Sequence, residues 1–115
     1  MLNVRLNAAR KIAETLIPSE TAIETAIAST SRLIAAIAEG RAETKLPVSM
    51  GQDSLAALGA TMTALIDARA TIAAAHAALA QDRVNAGLSA YGMGDVSDCP
   101  STAGLVLVEE ARAAA

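Results

Sequence analysis

The stretch ALIDARATIAAAHAALAQDRV, residues 64–84, decides the fold. Read at every seventh residue it yields two adjacent rows. One is apolar: Leu65, Ile72 and Leu79. The other is Arg69, His76 and Arg83. A seven-residue apolar repeat is the mark of a helix packed along one seam. Upstream the rows continue, with Leu58 in the first and Leu55 and Met62 in the second. The seam is therefore apolar in its first half and half-polar in its second.

The flanking positions are mostly alanine, including Ala56, Ala60, Ala70, Ala74 and Ala77. Only one glycine, Gly59, interrupts the pattern between Gln52 and Ala86. The spacing predicts a helix of some 34 residues, roughly 50 Å long at 1.5 Å per residue. A compact domain of this chain length is only about 35 Å across. Such a helix also lacks the broad charged face of an ordinary surface helix.

Working outward, residues 2–17 read as a first helix, with Leu2, Leu6, Ala9, Ala13 and Leu16 on one face. Pro18 is expected to end it, because the residue before a proline avoids the α region. Ser19, and Thr21 with Glu24, fit N-terminal capping of a second helix over residues 19–39. Its stripe is Ile23, Ile27, Thr30, Ile34 and Ile37, and Gly40 is the expected C-terminal cap. Residues 41–51 form a connector. The expected fold is all-α: a long antiparallel helical hairpin, or a three-helix bundle with a third helix over residues 52–86.

GLSAYGMGDVSDCP, residues 87–100, carries three glycines, two aspartates and a proline, and reads as a Gly-rich loop. It opens a C-terminal arm, residues 87–115. In this arm LVLV, residues 105–108, suits a short strand, and EEARAAA prefers helix. Residues 1–86 form the expected helical domain.

The chain has 115 residues, enough for one domain. It contains 29 alanines, one Tyr and neither Phe nor Trp. Each alanine brings little area to bury, so the yield at about 25 cal/mol per Å² is low. Close helix packing, or extra burial in an oligomer, is expected to compensate. The net charge of −3 and scattered basic residues give nucleic-acid binding little support. No apolar h-region follows the N-terminal basic residues, so secretion by a signal peptide is not expected. Charged residues interrupt every apolar run short of the ~20 residues a bilayer requires, so no membrane span is expected. The expected location is the cytoplasm or an assembled virion.

No catalytic, metal or cofactor constellation is expected. The lone His76 and lone Cys99 cannot build a multi-ligand metal site. Asp95 and Asp98 lack the further oxygens of a calcium loop. Gly92–Asp95 lacks the lysine of a phosphate loop. Three readings of the Arg69–His76–Arg83 row compete. The side chains reach water at the seam's edge, or they fix register and oligomer state, or they line a site for an acidic small molecule. The leading expectation is a non-enzymatic structural protein that works through helix-mediated oligomerisation, such as an accessory, cement or connector protein of a phage virion. Its interface is expected to use Leu58, Met62, Leu65, Arg69, Ile72, His76, Leu79 and Arg83. Tyr91, Leu105, Val106, Leu107 and Val108 are expected to contact a partner. The alternative is a small helical bundle that binds an acidic small molecule. Peripheral attachment to a lipid or polyester surface ranks last, because the helices lack the basic and aromatic residues typical of that role.

Overall fold

The computed structural model describes residues 1–89. The expected Gly-rich loop lies largely outside the described residues, as do Tyr91, Asp95, Asp98, Cys99 and Leu105–Val108. Among the described residues the chain is all-helical and has no strand. It forms two long helices, α1 (Leu2–Thr44) and α2 (Gln52–Asn85).

The structure corrects the expected count of three helices. α1 runs unbroken through Pro18 for 43 residues. The reason lies in the seam. Ala26, Ala28 and Gly40 of α1 are half-buried, and the continuous stripe of low exposure is Leu6, Ala9, Ala13, Leu16, Glu20, Ile23, Ile27, Thr30, Ile34, Ile37 and Arg41. They alternate three and four residues apart with no shift at the proline, so one packed stripe serves the whole helix. Pro18 removes one helical hydrogen bond, the one the Glu14 carbonyl would accept. Pro18 and Glu14 are both exposed, so water can reach the freed carbonyl. Ser19, Thr21 and Glu24 are consequently helix-interior residues and not caps.

Gly40 is likewise interior, and α1 ends five residues later than expected. Lys45 takes the left-handed conformation, with φ 54°. Its N–H donates to the Ala42 carbonyl, and the Leu46 N–H donates to the Arg41 carbonyl. This pair of bonds is a Schellman termination built on lysine in place of glycine. Arg41 reinforces it by donating from Nη1 to the Leu46 carbonyl at 3.1 Å.

Residues 45–51 connect the helices. Within them the Met50 N–H donates to the Pro47 carbonyl at 2.9 Å. Gly51 has φ 83°, and a Cβ there would lie 3.3 Å from the Ile37 Cγ2, so glycine answers both the conformation and the close approach. Its carbonyl accepts the Leu55 N–H as α2 begins.

α2 ends in a second Schellman pair. Gly87, with φ 76°, donates to the Val84 carbonyl, and Leu88 donates to the Arg83 carbonyl. The turn carries Leu88 into a cluster with Leu6 and Ala13, against which Ala9 packs. Leu88 is 2% exposed, the least of the buried apolar residues.

The chain divides into two compact units, each drawing on both helices. One unit joins Met1–Pro18 to the chain from Ile72 onward, and it holds Leu6, Ala13, Leu16, His76 and Leu88. The other unit is Ser19–Thr71. Inside it Glu24 and Arg69 meet across 45 positions of sequence. The stripe of this second unit is half-buried throughout: Ile23, Ile27, Ile34 and Ile37 on α1, and Leu55, Leu58, Met62 and Leu65 on α2.

Candidate interaction surface

α2 places its expected seam residues with little exception. Leu55, Leu58, Met62, Leu65, Ile72 and Leu79 are half-buried, as is Arg83, and His76 is buried. Arg69 departs from the row. It is exposed, and Ala68 takes the half-buried place beside it. The Glu24 carboxylate accepts the Arg69 Nε–H in an exposed ion pair. This hydrogen bond and the neighbouring negative charge raise the guanidinium pKa above its ordinary value.

The three polar residues of the row therefore have three environments. Arg69 belongs to the Ser19–Thr71 unit and is held by Glu24. His76 and Arg83 belong to the other unit. His76 is 7% exposed. Arg83 has a buried Nε that finds no hydrogen-bond partner among the described residues. Its position in the last turn of α2 is favourable for a cation, because the carbonyl end of a helix carries partial negative charge.

The rest of α2 is its outer surface, and its chemistry is unusual. Residues 54–66 and 70–81 contain no Asp, Glu, Lys or Arg. Ala56, Ala57, Ala60, Ala64, Ala70, Ala73, Ala74, Ala75 and Ala78 are all exposed, and Ile66 is 54% exposed. The threonines on this helix are exposed but bond back to its own carbonyls. Thr61 donates its hydroxyl to the Ala57 carbonyl, Thr63 to the Gly59 carbonyl, and Thr71 to the Asp67 and Ala68 carbonyls. Each hydroxyl donor is satisfied by its own helix and makes no demand on solvent.

This surface corrects the expectation of no membrane span. α2 is long and apolar enough to cross a bilayer, with a mean hydropathy of 1.3 over its best window of 18 residues. The expectation relied on uninterrupted apolar runs. A span depends on average hydrophobicity over the window, and one or two charges do not cancel it.

Among the described residues no group of three or more His, Cys, Asp or Glu is placed to hold a metal ion. The core itself is thin. Among the described residues Leu6, Ala13, Leu16 and Leu88 are the buried apolar ones, and no large side chain is fully buried. Eleven large apolar residues among the described ones remain exposed, enough to make the surface the more informative part of the molecule. No protein-family model, curated protein or solved structure matches the chain.

Proposed function

We propose that the chain is a non-enzymatic assembly protein whose working surface is the outer face of α2. One observation carries this reading: a 34-residue helix is half-buried on one stripe only, and its remaining faces are nearly free of charge. A helix that is apolar all round belongs in an interior. Alanine lets a neighbouring backbone approach closely, so the natural cover is another helix, supplied by a second copy or by another subunit. An accessory, cement or connector part of a phage virion is one setting in which such a face is covered.

Absolute mass by light scattering, over a wide range of protein concentration, tests it. The expected result is a defined oligomer that Ile66→Glu or Ala73→Glu converts to monomer with helix content unchanged. Both positions are exposed, so neither substitution strikes the core. A monomer at every concentration would remove the reading.

A second reading rests on the same helix. Its length and hydropathy suit insertion into a bilayer, and its self-satisfied threonines fit an apolar surrounding. Co-sedimentation of the full chain with neutral lipid vesicles, in place of self-association, favours insertion. Binding of an acidic small molecule by Arg69, His76 and Arg83 together has less support, because Glu24 already occupies Arg69.

A further inference from the structure

The opening turns of α1 carry an exposed flank of their own. Val4, Ala8 and Ile12 are all exposed, Val4 by 70% and Ile12 by 48%. At 3.6 residues per turn they fall within about 80° of one another around the helix. Lys11 lies about 20° beyond one edge of this strip, and Arg5 about 20° beyond the other. Both cations are exposed, and neither takes part in an ion pair among the described residues. Between these borders the polar side chain is Thr15, whose hydroxyl donates to the Lys11 and Ile12 carbonyls of its own helix. The residues that α1 buries in this unit, Leu6, Ala13 and Leu16, lie on another side of the helix. The strip is therefore open while the core is closed.

An apolar strip bordered by cations is the cross-section of a helix lying in a lipid interface. The stems of Lys and Arg cover apolar surface while their charged heads reach the headgroups. The charge of the unit fits the same surface. Within its described residues it carries four basic side chains, Arg5, Arg10, Lys11 and Arg83, against two acidic ones, Glu14 and Asp82. It is a basic unit in an acidic protein, and an anionic membrane attracts it. Nucleic acid is a poorer match, because the strip between the cations has no aromatic side chain on which a base could stack. The scarcity of basic residues that counts against lipid attachment for the helices as a whole does not hold on this flank. The strip also lacks an aromatic anchor, so the charges must contribute much of the binding.

We propose that this flank of α1 lies on an anionic lipid surface, with Val4, Ala8 and Ile12 in the apolar boundary and Arg5 and Lys11 against the headgroups. The contact is separate from the outer face of α2 and holds whether or not α2 meets a partner.

Co-sedimentation of the full chain tests it, with vesicles of equal parts phosphatidylglycerol and phosphatidylcholine beside vesicles of phosphatidylcholine alone. The expected result is binding several-fold stronger to the anionic vesicles, weakening as salt is added. Arg5→Glu combined with Lys11→Glu, both at exposed positions, should remove that excess with helix content unchanged. Ala73→Glu, which tests α2, should leave the excess intact. Ala8→Trp gives the location, because the chain has no tryptophan of its own. Its emission should shift to the blue on the anionic vesicles. No excess on anionic vesicles, an excess that survives the charge reversal, or an unshifted tryptophan on sedimented protein would each overturn the proposal.

Discussion

α1 and α2 share a seam yet present opposite exteriors. α1 carries Arg10, Lys11, Glu14, Glu24, Arg32, Glu39 and Glu43 on its exposed faces, as a helix bordering water does. α2 carries alanine. The difference shows that a packed stripe alone does not identify a helix's surroundings. The stripe says what one face touches, and the opposite face says what the helix expects on the other side. On our proposal most of α1 borders water there and α2 meets a partner.

Substitutions in the shared core should have the largest effect and should strike whichever helix supplies the residue. Leu88→Ala and Leu16→Ala each remove a buried side chain and should cost about 2–4 kcal/mol in chemical denaturation. A loss below about 1 kcal/mol at Leu88 would mean that the Gly87 turn does not hold it against α1.

Pro18→Ala sharpens the account of α1 as one continuous helix. Restoring the hydrogen bond to the Glu14 carbonyl should raise stability by about 1–3 kcal/mol. If the helix in fact stopped at residue 17, the substitution would give no gain.

The glycines divide by sign. Gly40→Ala lies inside α1, and no atom within 4 Å would oppose the new Cβ. It should stabilise by about 0.5–1 kcal/mol. Gly87→Ala meets a positive φ and should destabilise by roughly 1 kcal/mol. Thermal melts of the two variants should therefore move in opposite directions. A destabilising Gly40→Ala would restore Gly40 as a cap.

The smallest effect belongs to the ion pair. Arg69→Leu breaks the contact with Glu24, but both side chains are more than half exposed. Its melting temperature should move least in the series, and added salt should erase the difference.

The helical character and the α2 seam were legible in the sequence, because Leu58, Leu65, Ile72 and Leu79 keep a seven-residue spacing that only a helix satisfies. The unity of α1 was legible too, in the unbroken alternation from Leu16 through Glu20 to Ile23. Local rules about proline and glycine obscured it. Those rules describe single residues, and a stripe of eleven packed positions outweighs one lost hydrogen bond and one flexible residue. Lys45 as a left-handed cap carries no such signal, because lysine has no preference for that conformation. Gly87-Leu88 did carry one: a glycine and then a leucine after a long helix is the pattern of a Schellman turn with an apolar anchor. The exposure of Arg69 was beyond the heptad pattern, which gave it a seam position. Glu24, 45 residues away, decided it.

The most direct test of α2's unmet outer face is the absolute mass of the full chain in solution across concentrations, measured beside Ala73→Glu and repeated with neutral vesicles. The account predicts a defined oligomer, or transfer to the vesicle fraction, that is lost in Ala73→Glu. A wild-type chain that is monomeric throughout, ignores vesicles and behaves like Ala73→Glu would contradict it.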